Sequence, residues 1–310
     1  MSQLSKLMVV TEDEKERILK EHNITKKEFE DSVDVLRTWV SQHNNISNTE
    51  VINDNHLTTA LINSKMSLEN AKRAMEGYLT VKTLYSDFFE HMIPEEKKFK
   101  ETFTLIKSVI MPKLLPNLSR LHVAKFMDPN GDAENGLDYY FTAIMIAELR
   151  MVYDFFLSTA MLLDLRYFGL KNLMKFTPTV NYKLVHMLTS VSLRIDTIHI
   201  LNSPPIWDKI YIILKAILPS KILNKIKVHN SLEELQKDIP KEYLPSDYGG
   251  TEKSLDELHE MWKNEFEANE DLFKKLTKLR VKEVLRGPQF TDDTYMGLGI
   301  DGSFKKLDID

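Results

Sequence analysis

Residues 195–250 read IDTIHILNSPPIWDKIYIILKAILPSKILNKIKVHNSLEELQKDIPKEYLPSDYGG. A short apolar run, Ile195 to Leu201, stops at Asn202-Ser203-Pro204-Pro205, where paired prolines end a regular element. A helical pattern follows over 206–218, and ten of its thirteen residues are apolar or aromatic. Ile206, Ile210, Ile213, Leu214 and Ile217 form one stripe, and Trp207, Tyr211 and Leu218 widen it beyond the roughly 100° that a surface helix needs. Two readings stand for such a helix. It is either a core helix buried on all sides or a lid over an apolar cavity. From Ile206 to His229 there are five lysines (209, 215, 221, 225, 227) against the single acid Asp208. Lys221 and Lys225, four apart, share a face if this segment is helical. They form either a solvated face or a contact for anionic headgroups, where each lysine contributes about 1 kcal/mol.

Working outward, the preceding residues alternate strand and helix patterns. Strands are expected at 118–127 and 161–165, and helices at 138–159 and 178–189; the strand at 195–201 comes next. That order argues for an α/β unit with a mostly parallel sheet over 95–250, the stretch 93–120 with Pro94, Pro112 and Pro116 serving at first as a connector. Residues 10–92 read as a helical bundle. Thr11 caps one helix begun by Glu12, Asp13 and Glu14, acidic residues that suit a helix N-terminus, Thr25 with Glu28 forms a capping box for the next, and Ser67 caps a third. Asn-rich residues 41–49 read as a loop. Ser254 caps a long charged helix expected to reach about 284, within a final segment 251–310 whose tail from Arg286 reads as loop.

Composition narrows the functional classes. The chain has 310 residues, 43% hydrophobic and 28% charged, enough to bury a sizeable core. A net charge of -5 argues against a dedicated nucleic-acid binder. The absence of cysteine excludes disulfides, thiolate metal sites and cysteine nucleophiles. No stretch reaches the roughly 18 apolar residues that span a bilayer, and the N-terminal apolar patch is short for a secretory signal, so a cytoplasmic protein with transient peripheral membrane contact is expected. Neither GxSxG, GxGxxG nor GxxxxGK[ST] occurs outside a weak glycine-rich tail at 297–302, and the nine histidines show no HxH, HxxxH or HExxH spacing. His199, between Ile198 and Ile200, reads as a structural histidine. No catalytic residue, metal site or cofactor is expected.

The order of pieces is more specific than any one of them. Ile198-His199-Ile200-Leu201-Asn202 with Pro204, the greasy helix running into Lys215, the Lys221-to-His229 segment, and Leu244-Pro245-Ser246-Asp247-Tyr248-Gly249-Gly250 together resemble the CRAL-TRIO (Sec14-like) lipid-binding family, in its α-tocopherol transfer and cellular retinaldehyde-binding branch. Asp164, fourteen residues before Pro178, matches the family's D…TP segment, and Ser67-Leu68-Glu69-Asn70-Ala71 resembles the helical module that precedes the domain.

The resemblance implies a sheet flooring an apolar cavity that is closed by a mobile gate helix. It places Leu163, Phe168, Leu170, Phe176, Leu184, Met187, Leu188 and Ile198 in the pocket lining. Ile206, Trp207, Ile210, Tyr211, Ile213, Leu214 and Ile217 would be the two faces of the gate. It further implies a non-enzymatic carrier of one retinoid, tocopherol, carotenoid or similar isoprenoid lipid, acting as a monomer and exchanging its ligand at membranes. Arg194, Lys221 and Lys225 match positions that bind phosphoinositide headgroups. Asp196 and Ile62 stand where that site has further basic residues, Ala216 where the gate has proline, and the segment near Tyr167 and Asn172 lacks the usual glycine and histidine. The alternative is a phosphoinositide-dependent adaptor or phospholipid exchanger; an enzyme acting on the lipid finds no support in these residues.

Overall fold

The N-terminal third is helical because its caps and apolar spacing agree. The computed structural model describes residues 4–190 and 193–284. Helices α1 (Leu4–Leu7), α2 (Glu12–Glu21), α3 (Lys26–Gln42), α4 (Asp54–Asn63), α5 (Leu68–Leu84) and α6 (Ser86–Phe89) follow one another. Thr11 with Glu14 and Thr25 with Glu28 both form reciprocal capping boxes, which satisfy N-terminal amides that the helix itself leaves unpaired. The i, i+3, i+4 series Phe29, Val33, Leu36 and Val40 is the buried face of α3. It packs with Leu57, Leu61, Ile62 and Met75 in a cluster that also takes in Leu114, Leu118, Phe156 and Leu157. The loop expected at 41–49 holds a short strand, β1 (Ile46–Ser47).

The connector expected at 93–120 is instead α7 (Lys97–Leu105) and β2 (Ile106–Leu114). β2 is an edge strand, antiparallel to β3 (Ser119–Phe126), and the register shifts between Ile110 and Leu114. Pro112 falls in that irregularity, where a missing backbone N–H costs no ladder hydrogen bond. The single helix expected at 138–159 is a 3-10 turn, Gly136–Tyr140, followed by α8 (Phe141–Tyr153). Asn135 caps the 3-10 turn and Asp154 follows the last turn of α8.

β4 (Ser158–Asp164), α9 (Leu170–Leu173), α10 (Pro178–Ser190), β5 (Ile195–Leu201), α11 (Trp207–Ile217), α12 (Ser220–Leu223), β6 (Ile226–His229) and α13 (Leu232–Asp238) complete the α/β unit. The sheet order is β2-β3-β4-β5-β6, with β3 through β6 parallel. The fold is therefore the α/β class expected, with a mostly parallel sheet behind an N-terminal helical bundle. The charged helix expected from Ser254 to 284 breaks at Asn269 into α14 (Leu255–Ala268) and α15 (Glu270–Leu276), followed by β7 (Arg280–Val281). β7 pairs antiparallel with β1. The tail from Arg286 lies outside the described residues. Among those described, no helix is long and apolar enough to cross a membrane.

Register divides the sheet into two faces. Val109, Val123, Leu162, His199 and Lys227 are aligned across the five strands, as are Ala124, Leu163 and Ile200 on the reverse. Leu121, Val123, Ala160, Leu162 and Leu201 join the larger core with Trp262 and Phe266 of α14. Ile106, Ala124, Phe126, Ile198 and Ile200 join a second core with Ile210 of α11.

Two buried histidines in this frame have a measurable cost in acid. Burial first, and then the charge of Lys82, lowers His56 to about 4; burial and then Arg150 lowers His122 to about 3. Both folded values lie below the unfolded one, near 6.5, so below that pH the unfolded chain binds more protons and stability falls as pH falls. Each histidine should remove about 1.4 kcal/mol per pH unit between roughly pH 6.5 and its folded value. Urea denaturation at pH 7 and pH 5 measures it, and equal stabilities at the two pH values would contradict it.

Candidate functional site

The site begins at Asp164, the last residue of β4, whose side chain is buried. Its carboxylate accepts hydrogen bonds from Asn202 Nδ2 at 2.8 Å, from the Arg166 backbone N–H at 3.0 Å and from the Tyr248 hydroxyl at 3.2 Å. Three separated pieces of the sequence pattern thus meet on one side chain. Asn202 sits at φ 52°, a left-handed conformation that asparagine tolerates better than most residues. Burial and then the neighbouring Asp164 raise the Tyr248 pKa, which keeps its hydroxyl a donor. The turn that Asn202 makes, with Trp207 N–H donating to the Pro204 carbonyl at 2.8 Å, launches α11 back across the sheet.

α11 is not the fully buried helix its composition allows. Ile210 is its only buried residue, and Ile212 is 67% exposed. Ile206, Trp207 and Leu214 are half-buried and pack with Ile210 against the sheet-face core. Tyr211, Ile213 and Ile217 are also half-buried and, among the described residues, join none of the buried cores. Trp207 and Tyr211 rings lie 6.2 Å apart, and Lys215 Nζ stands 4.9 Å from the centre of the Tyr211 ring. In the same cluster as Ile206, Trp207 and Leu214, Met161 and Leu163 of β4 and Ile195 of β5 are likewise only half-buried. Apolar side chains from the sheet and from α11 thus keep surface accessible within one cluster, which is unfavourable for a finished core.

The expected lining residues separate into groups. Leu163, Phe168, Phe176 and Ile198 converge with the α11 residues on one core. Phe168 and Phe126 rings meet edge to face at 4.9 Å. Leu184 and Met187 are buried in the larger core instead. Leu170 is 53% exposed. The side chain of Leu188 lies outside the described residues. Reasoning from the sequence missed Met161 and Ile200, although strand alternation would have found them as the i±2 neighbours of Leu163 and Ile198. It also missed Tyr139. That hydroxyl donates to Asp128 at 2.6 Å and accepts from Asn172 Nδ2 at 2.8 Å, and Asn172 Oδ1 accepts from the Gly169 N–H at 2.7 Å. This buried network holds the loop that carries Phe168 and Phe176. Burial opposes the charge on Asp128, yet Tyr139 and the backbone amides of 131–133 hold its pKa below the usual value.

The basic positions are neighbours, with a correction. Lys221 and Lys225 do not share a helix face, since α12 ends at Leu223. Lys225 is half-buried, donates to the Ile195 carbonyl, and has its pKa lowered by burial first and then, against Asp196, by the charges of Lys221 and Arg194. Asp196 itself accepts from Asn117 Nδ2 at 3.0 Å. Lys221 is exposed and Arg194 half-buried. Ile62 is buried in the helical bundle.

Comparison with known proteins bears on the same stretch. Residues 123–250 match the family model for the CRAL/TRIO domain. The α-tocopherol transfer protein-like protein of Homo sapiens is 34% identical over 116 residues, 37% of this chain and 33% of that protein. Clavesin-1 of Rattus norvegicus is 31% identical over 93 residues, 29% of this chain and 26% of that protein. The matched stretch thus spans about a quarter to a third of the length of these relatives. The crystal structure of Sfh5 aligns over 81% of this chain and 92% of its own, with 10% identity and a TM-score of 0.48. The family resemblance carried by Asp164, Asn202 and the Leu244-to-Gly250 segment is borne out by this match of residues 123–250 to the CRAL/TRIO domain.

Proposed function

We propose that this chain is a carrier for one hydrophobic small molecule, a retinoid, tocopherol, carotenoid or similar isoprenoid lipid, held between the sheet and α11. The observation that carries this reading is the set of half-buried apolar side chains gathered in one cluster, Met161, Leu163 and Ile195 from the sheet and Ile206, Trp207 and Leu214 at α11. An apolar ligand gives these side chains a partner. Burying roughly 300–400 Å² of ligand at about 25 cal/mol per Å² contributes about 8–10 kcal/mol before the costs of association, enough for micromolar binding without a charged contact. The names of the matched relatives, a tocopherol transfer-like protein among them, support the same class. In this reading α11 is the lid. Its exposed Ile212 and the nearby exposed Lys209, Lys215 and Lys221 meet an anionic membrane while the ligand exchanges. A phosphoinositide adaptor is the weaker reading, since Lys225 is committed to the Ile195 carbonyl and Asp196 stands beside it.

Fluorescence titration of the purified chain with retinol, α-tocopherol and a phospholipid tests the carrier reading. One saturable isoprenoid site is expected, weakened about tenfold or more by Leu163→Asp, which puts a charge in the apolar floor. Flotation with anionic vesicles should weaken on Lys221→Glu. Failure of every apolar ligand to saturate overturns the reading.

A further inference from the structure

The sheet face turned away from α11 carries a cluster that no local spacing reveals. His199 on β5 aligns with Lys227 on β6, and Leu201 aligns with His229. His199 and His229 therefore stand diagonally on one face, and α13 brings its last residue, Asp238, to them. His199 Nδ1 lies 2.8 Å from His229 Nε2, and Asp238 Oδ2 lies 3.8 Å from the first and 3.9 Å from the second. The point equidistant from these three atoms is about 2.1 Å from each, the length of zinc–imidazole and zinc–carboxylate bonds.

We propose that His199, His229 and Asp238 bind one divalent transition-metal ion, zinc by preference, with water completing the coordination. Two imidazoles and a carboxylate form a nitrogen–oxygen set suited to zinc and its neighbours. The histidines are 4% and 6% exposed, so their rings are held in place, whereas the Asp238 side chain is 32% exposed and leaves an entry for the ion. Both histidines bind a metal in their neutral form. Each needs only the tautomer that leaves the facing nitrogen bare. Lys227 is the competitor. Its Nζ lies 3.0 Å from Asp238 Oδ2 on a half-exposed side chain and swings out when a cation of higher charge arrives. Asp196 and Glu234 are further negative groups that act on the two histidines. The bound ion would tie β5, β6 and α13 together on the face opposite the apolar site, independently of what that site carries.

Isothermal titration of the chelator-treated full chain with ZnCl2, and with CoCl2 followed by visible absorption, tests this. One zinc per chain is expected. His199→Gln and Asp238→Asn should each weaken it about tenfold or more, at least the loss typical of second-shell partners; Lys227→Met should tighten it. Far-UV circular dichroism establishes that the variants are folded, and the half-exposed Asp238 keeps one variant gentle on the core. No saturable binding, or binding unchanged in both His199→Gln and Asp238→Asn, overturns the proposal.

Discussion

Asp154→Ala should cost about 3–5 kcal/mol of stability, the range for a buried ion pair that loses one partner. Asp154 and Arg120 are both fully buried, with Nη2–Oδ1 at 2.6 Å and Nε–Oδ2 at 3.2 Å. Arg150 adds Nε–Oδ2 at 3.2 Å and lies with its guanidinium 3.8 Å from the centre of the Phe156 ring. Burial lowers the Arg150 pKa to about 10, Asp154 works against that fall, and Arg120 adds to it. Without the carboxylate, two guanidiniums share a dry site. Arg120 keeps only carbonyl partners, chiefly Pro112 O at 2.6 Å and, at the edge of α1 and β2, Val9 O at 3.3 Å. Urea denaturation of the variant measures the loss. A cost below about 1 kcal/mol, the size of a surface pair, would show that water reaches the triad.

Gly250→Ala should be nearly as damaging, about 3 kcal/mol or more, at the upper end for overpacking because the obstruction is backbone. A Cβ at Gly250 would lie 1.9 Å from the Leu244 carbonyl oxygen and 2.6 Å from the Leu244 Cβ. The Gly250 N–H donates to Pro245 O at 3.1 Å, so the chain cannot retreat without opening the turn that aims Tyr248 at Asp164. Gly169→Ala is the control. Its Cβ would meet only Asn172 Oδ1 at 3.7 Å, and a change within about 0.5 kcal/mol is expected. Equal melting of the two variants would refute the steric account.

These two cases mark where sequence reading succeeds and fails. The Leu-Pro…Gly-Gly pattern is legible because a close backbone approach demands glycine at one place. The caps at Thr11, Thr25 and Ser254 and the strand 195–201 are legible for the same reason, since local geometry dictates local chemistry. The break at Asn269 is not, because α14 and α15 continue one helical pattern. β2 is obscured by Pro112, which reads as a breaker until its partner strand shows the irregularity. The Arg120–Asp154 pair joins residues 34 apart, and His199 and His229 are brought together only by the register of β5 with β6. Such partners carry no periodic signal. In the candidate site, α11 was legible as greasy, but its half-exposure was not, because composition does not say what covers a side chain.

The pairing of Ile46 with Val281 and Ser47 with Arg280 closes a loop of more than two hundred residues with a two-residue ladder. Asn45 and Asn48 strengthen it by donating to the Glu283 carbonyl at 2.8 Å and the Lys278 carbonyl at 2.6 Å. Closing so long a loop costs entropy that rises only with the logarithm of its length, yet contacts of such separation slow folding. On the ribosome, the segment after α3 must wait for residue 281 to be made before its ladder exists. The helices that precede β1 are therefore locked by residues made more than two hundred positions later, which makes this strand pair a late step in their assembly.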